Sequence, residues 1–218
     1  MDFSGEGGCS VSAVIPAYNE AERIGDVILR AKPFVDEVVV VDDGSSDETS
    51  AVAESAGARV IHQDRAGYIA GIRLGFREAQ GEVVVTMDAD GEHRPEDIPR
   101  LLAPIAEGRA DLVLGRRQWV PRRSERVLNW LTRLRVGQVY DTGTGFRAIR
   151  RELALQLELR GRCICGVSVL EAVSLGARLA QVPVESAAID KPRRIAWFHM
   201  LQVFYVLAWL FTGRALGN

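Results

Sequence analysis

The chain has 218 residues, 47% hydrophobic and 26% charged, enough to bury a sizeable core as one large domain or one domain with an appendage. Its 27 Lys and Arg against 29 Asp and Glu leave a net charge of -2, which gives no global reason to expect a nucleic-acid partner. Three cysteines, Cys9, Cys163 and Cys165, are odd in number and lack C-x-x-C spacing, the pattern of reduced thiols in a cytoplasmic protein.

Residues 1–10 are Gly-rich with no apolar run, so they read as a flexible start without a secretory signal. Val11 to Ile15 is a buried strand, expected to end at Pro16. Tyr18-Asn19-Glu20 leads into a helix with Ile24, Val27, Ile28 and Ala31 on one face. Glu37 to Val41, all valine in its core, is a second strand ending in Asp42-Asp43-Gly44-Ser45-Ser46-Asp47, and Ser46 or Asp47 can cap the helix that runs to Gly57. Arg59 to His62 is a third strand, Gly67 to Ala79 a helix, and Val83 to Met87 a fourth strand.

That strand delivers Asp88-Ala89-Asp90-Gly91-Glu92-His93 just before a helix started by Pro95. Alternation puts Asp88 and Asp90 on one side, and Gly91 lets the backbone curl so that Glu92 joins them. Carboxylates packed this tightly repel one another unless a cation sits between them, and oxygen donors suit Mg²⁺ or Mn²⁺ over Zn²⁺. A solvated acidic turn that caps the next helix is the alternative. His93 could touch phosphate, bind metal or cap the helix.

Further on, Asp111 to Gly115 is a fifth strand, followed by a basic loop with Arg116, Arg117, Arg122, Arg123 and Arg126, and then a helix carrying Trp130 and Leu134. Asp141 to Arg147 is turn-rich, with Gly143 and Gly145 expected to allow a tight turn. It opens onto a short strand; Gly166 to Gly176 is a helix containing Glu171, and Leu179 to Val184 the last strand. Apolar strands alternating with helices imply an α/β domain with a mostly parallel sheet covered on both faces. Ligands bind beyond the carboxyl ends of such strands, where Pro16–Glu20, Asp42-Asp43 and Asp88–Asp90 all fall.

Four ordered segments then carry a resemblance: Val11-Ser12-Ala13-Val14-Ile15-Pro16-Ala17-Tyr18-Asn19-Glu20, Val41-Asp42-Asp43-Gly44-Ser45-Ser46-Asp47, Asp88-Ala89-Asp90-Gly91-Glu92-His93-Arg94-Pro95-Glu96 and Asp141-Thr142-Gly143-Thr144-Gly145-Phe146-Arg147-Ala148. Together they resemble the family 2 glycosyltransferases of GT-A fold, and within them the polyprenyl-phosphate sugar synthases, from about residue 11 to 190. The resemblance implies inverting, metal-dependent transfer of a hexose from a nucleotide diphosphate sugar, of GDP-mannose or UDP-glucose type, to a polyprenyl or dolichyl phosphate. It implies a nucleotide site at Pro16, Tyr18, Glu20, Asp43 and Asp88. It assigns metal ligands Asp88, Asp90 and Glu92, with Asp90 and Arg117 catalytic. Arg117, with Arg122 or Arg123, would meet the acceptor phosphate, and Lys191 or Arg193 would close over the diphosphate. Glu92 stands where similar enzymes often carry Gln, a change that should hold the cation more tightly.

A phosphate acceptor is already ionised at neutral pH and needs arginines rather than a strong base. A hydroxyl acceptor needs a carboxylate base, for which Glu171 is the candidate. A non-catalytic nucleotide-sugar-binding scaffold is the third reading. Residues 191–218 form an appendage in which Ile195 to Thr212 carries only His199, Gln202 and Thr212 as plainly polar residues. Preceded by Lys191, Arg193 and Arg194, this segment fits a helix lying on the cytoplasmic face of an anionic membrane; pairing in a homodimer or the start of a span are the alternatives.

Overall fold

The computed structural model describes residues 9–120, 122–187 and 194–212. The expected appendage cations Lys191 and Arg193, and the Gly-rich start up to residue 8, lie outside the described residues. In chain order the elements are β1 (Val11–Ala17), α1 (Ile24–Ala31), β2 (Glu37–Asp42), α2 (Thr49–Ser55), β3 (Arg59–His62), α3 (Tyr68–Glu78), β4 (Val83–Thr86), α4 (Ile98–Ala106), β5 (Leu112–Arg117), α5 (Arg123–Val136), β6 (Arg147–Arg150), α6 (Arg151–Ala154), α7 (Val167–Ser174), β7 (Leu179–Val184) and α8 (Arg194–Thr212).

The strands form one 7-stranded sheet in the order β3-β2-β1-β4-β6-β5-β7. All pairs are parallel except the two that β6 makes, with β4 and with β5. Alternate side chains of each strand face opposite layers. Ala13, Ile15, Val38, Val40, Val83 and Val85 pack against α1, α2 and α4. Val14, Val39, Val41, Val84, Leu112, Leu114 and Ile149 pack against α3, α6 and α7. The all-valine β2 follows from being covered on both sides. A third cluster joins α5, α7 and α8 through Leu128, Leu131, Val167, Leu170, Val206 and Trp209.

Some boundaries differ from those expected. β1 continues through Pro16 to Ala17. Val14 O accepts from Met87 N while Ala17 O accepts from Asp43 N, so the Pro16 nitrogen faces the β4 side, where pairing has already ended at Thr86. No ladder bond is lost there. The fifth strand runs on to Arg117 because Gly115, Arg116 and Arg117 pair with Val182, Pro183 and Val184 of β7. Pro95 begins a 3₁₀ turn, Pro95–Asp97, that leads into α4.

The antiparallel β6 matters for the site. Its N-terminal start lies at the same end of the sheet as the C-terminal ends of β1, β2, β4 and β5. Thus the Asp141–Phe146 segment meets Glu20, Asp43, Asp88 and Arg117 at one edge.

Candidate active site

At that edge lies a cleft of about 650 Å³, lined by Pro16, Tyr18, Glu20, Asp43, Tyr68, Asp88, Asp90, Glu92, Arg117, Arg122, Gly143, Gly145 and residues 161–165. The structure brings most of the sequence-predicted residues to it; Arg123, exposed at the start of α5, and Glu171 are not among the lining.

Asp88 sits at its centre. Tyr68 Oη donates to Asp88 Oδ1 at 3.2 Å. Burial, then the neighbouring Asp88 carboxylate, pushes the Tyr68 hydroxyl well above its ordinary pKa, so it stays a proton donor. Nε2 of His93 lies 3.3 Å from Asp88 Oδ2 but outside hydrogen-bonding geometry, and Nδ1 likewise makes no hydrogen bond. The imidazole is 1% exposed and stacks on Phe146, with ring centroids 5.1 Å apart. Donor atoms of Asp88, Glu92 and His93 all lie within 4.8 Å of one another. A buried imidazole turned toward two carboxylates without a hydrogen bond is the arrangement a divalent cation would complete. The carboxylates favour a hard ion, and the imidazole shifts the preference from Mg²⁺ toward Mn²⁺. Asp90 lines the same cleft but stands outside this trio; its Oδ1 accepts from Glu92 N at 3.0 Å across the turn that Gly91 makes at φ 78°.

Arg117 is 7% exposed. Its Nε and Nη2 donate to Asp141 at 2.7 and 3.0 Å, Nη2 to Glu125 at 2.8 Å and Nη1 to Glu92 at 3.2 Å. Burial alone would lower its pKa, but Asp141, Glu125 and Glu92 together hold it above the ordinary arginine value. Arg122 reaches Glu125 Oε1 at 3.3 Å. Six carboxylates (Glu20, Asp43, Asp88, Asp90, Glu92 and Glu125) thus line the cleft with three guanidiniums (Arg117, Arg122 and Arg162), and a divalent cation would offset the excess. The residues present fit such an ion.

Gly145 is required by close approach. It does not sit in the left-handed region, and a Cβ there would fall 2.6–2.9 Å from the Asp88 carboxylate. Thr86 Oγ1 donates to Gly145 O at 2.7 Å, and Arg147 donates to Thr144 O at 2.8 Å and Thr142 O at 2.7 Å, fixing the segment from below. A tight turn is therefore the wrong reason for this glycine.

On the other side, Asp43 Oδ1 accepts from Gln63 Nε2, Ala66 N and Gly67 N at 2.7, 2.7 and 3.0 Å, which ties down the turn before α3. Tyr18 is 39% exposed and carries the Arg65 guanidinium 3.2 Å over its ring. Burial raises the Glu20 carboxyl above its ordinary range; Arg23 works against this and Asp90 with it. Glu171 is buried, accepts from Leu159 N at 2.9 Å through Oε2, and is likewise raised by burial.

Sequence reasoning missed Tyr68, Glu125 and the joining of Glu92 to Asp141 through Arg117. Asp141 stood in a quoted motif, but nothing in the sequence marks Glu125 or Tyr68, whose roles depend on which helix start meets which strand end.

Three comparisons bear on this geometry. The family model described as glycosyl transferase family 2 matches residues 12–162. The chain is 33% identical to the polyprenol monophosphomannose synthase of Mycolicibacterium smegmatis over 201 residues, 78% of this chain and 75% of that protein. It is 34% identical to the undecaprenyl-phosphate mannosyltransferase of Micrococcus luteus over 205 residues, 80% of this chain and 82% of that one. The fold matches glucosyl-3-phosphoglycerate synthase of Mycobacterium tuberculosis, in complex with Mn²⁺, UDP-glucose and phosphoglyceric acid, at a TM-score of 0.76 and 26% identity, covering 92% of this chain and 79% of that one.

Proposed function

The chain belongs to glycosyltransferase family 2, and from that premise we propose that it transfers a hexose, with inversion, from a nucleotide diphosphate sugar to a polyprenyl phosphate at a membrane surface. The observation that carries this reading is the cleft in which Asp88, Glu92 and His93 converge within 4.8 Å beside Arg117 and Arg122, groups suited to a divalent ion and an ionised phosphate. The names of the mycobacterial and Micrococcus relatives support the lipid phosphate, and the nucleotide sugar in the neighbouring structure supports the donor class.

In this reading the nucleoside lies along β1 and β2, against Pro16, Tyr18 and Glu20. The Asp43 carboxylate holds the Ala66–Gly67 turn that walls the base and keeps acceptor capacity for a ring N–H. A divalent ion on Asp88, Glu92 and His93, with Asp90 beside it, would neutralise charge on the departing diphosphate. Tyr68, kept protonated, orients Asp88. Arg117 gives most of its donors to Asp141, Glu125 and Glu92, so it holds Glu92 in the ligand set, and Arg122 meets the acceptor phosphate by charge and bidentate hydrogen bonding. The ionised phosphate oxygen attacks the sugar without a general base. The hydroxyl-acceptor alternative needs Glu171, which is turned to Leu159 N.

The lipid surface has structural support as well. On α5, Val127, Trp130 and Leu134 are 46%, 58% and 63% exposed along one stripe, joined by Trp119 at 69%. Arg123, Arg126, Arg133 and Arg135 are also exposed, while Glu125, the helix's one acid, is buried. Exposed apolar side chains flanked by cations suit an anionic headgroup layer. Among the described residues no helix is long and apolar enough to cross a membrane.

Incubation with Mn²⁺, UDP-glucose or GDP-mannose, and a short polyprenyl phosphate should give a glycolipid of the expected mass with one of the donors. No product with any donor, alongside transfer to a soluble acceptor, would replace the lipid assignment.

A further inference from the structure

The apolar helix α8 carries one fully buried amide, Gln202. Its neighbours one and two turns on, Val206 and Trp209, pack apolar surface against α5 and α7. A buried amide in such a setting is costly unless hydrogen-bonded. Among the described residues its side-chain bonds go to a single irregular segment between α6 and α7: Oε1 accepts from Arg162 N at 3.1 Å and Cys163 N at 3.4 Å, and Nε2 donates to Arg160 O at 3.3 Å. Between them, Gly161 takes φ 105° and lies so close that a Cβ would overlap the Gln202 amide. This segment has no sheet ladder, so its backbone groups depend on side chains: Glu171 receives the Leu159 N–H before Gly161, and Gln202 holds Arg160 O, Arg162 N and Cys163 N around it.

The same segment forms one wall of the cleft, from Gly161 to Cys165. Other parts of the lining come from the ends of β1 and β2 and the turn before α3, the parallel half whose strand ends would receive a nucleotide. The Gly161–Cys165 wall lies between the two halves: Ile164 joins the cluster of Tyr68, Ile69 and Ile72 of α3, while Cys163 and Cys165 join that of α5, α7 and α8, and Arg122, which caps α5, lines the same cleft.

We propose that Gln202 is a positioning residue for the acceptor: α8 sets the Arg160–Cys163 backbone through its amide and thereby shapes the wall that lines the cleft together with Arg122. The inference rests on the glycosyl-transfer reading above and adds to it a residue from the C-terminal helix.

The test compares the full-length wild type with Gln202→Met, which keeps the shape and loses the hydrogen bonds, and Gln202→Glu, which keeps the two accepted bonds. Amide exchange at Arg162 and Cys163 should accelerate in the Met variant and stay near wild type in the Glu variant. With polyprenyl phosphate, the acceptor KM should rise about tenfold in Gln202→Met while donor KM and nucleotide affinity hold, and Gln202→Glu should restore most of the loss. If the Met variant does not fold, the Glu variant is read alone, with a rise of about twofold expected from the lost Arg160 bond. Unchanged exchange across residues 160–163, or donor and acceptor KM moving together, overturns the proposal. A wild type that makes glycoside only on a soluble phosphorylated acceptor refutes the lipid reading instead, and the same KM comparison on that acceptor, with the exchange measurement, still decides the role of Gln202.

Discussion

Asp88 and Gly145 occupy each other's space, and this makes the glycine testable. Gly145→Ala should push the Asp88 carboxylate away from His93 and Glu92 and lower Mn²⁺ affinity by about ten- to a hundredfold, as loss of a supporting contact around a metal does, with titration of bound Mn²⁺ as the check. Glu171 gives a pH prediction. Its folded pKa lies above the unfolded value because of burial, so its contribution is present at acid pH and is lost as pH rises through the raised folded value. Gln at this position cannot titrate. Glu171→Gln should therefore gain stability relative to wild type between acid and neutral pH, in urea unfolding at each pH, and should leave transfer to a phosphate acceptor intact. At this scale the sequence was half legible. Asp43, Asp88 and Glu92 stood out because carboxylates at strand ends need a reason. Arg117 stood out as a cation, but its charge alone could not say that Asp141, Glu125 and Glu92 already surround it. His93 could not be placed either, since its approach to Asp88 depends on the Gly91 turn and on Phe146, which comes from a distant segment.

Among the elements, the periodic helices and valine strands were readable almost residue for residue, since apolar spacing reports burial directly: β3 and β7 have the bounds expected. The ends that moved were those decided by a neighbour, such as Pro16 facing the finished β4 and Gly115–Arg117 recruited by β7. α5 shows the same limit, because its sequence does not say that the stripe with Trp130 is the outward one. That exposure predicts a function for the face. Trp130→Ser with Leu134→Ser should reduce binding to phosphatidylglycerol-containing vesicles severalfold in a flotation assay, with stability changed by less than about 1 kcal/mol because both side chains are mostly exposed. Loss of a dimer in sedimentation, with vesicle binding unchanged, would reassign the face to a second copy of the chain.

For the whole molecule, the GT-A fold arises from two unequal halves: a parallel half that carries Pro16, Glu20, Asp43 and Asp88 beyond or at its strand ends, and a later half in which α5, α7 and α8 cluster. Ligands that bridge them should stabilise the entire structure. Mn²⁺ together with UDP or GDP should raise the melting temperature by several degrees, chelation should cancel the gain, and either component alone should give less, since binding to the folded state stabilises it in proportion to occupancy. Periodicity announced the α/β class and the mostly parallel sheet. It could not announce that the Arg147–Arg150 strand runs backwards between β4 and β5, because strand direction leaves no trace in an apolar pattern. That wedge has a further consequence during synthesis. As the polypeptide leaves the ribosome, β1 to β4 can assemble early, yet the Val83–Val85 run lacks its second neighbour until Arg150 has emerged. For that interval the nascent chain presents an open, sticky valine ribbon, a point where a stalled or truncated product would aggregate or call on a chaperone.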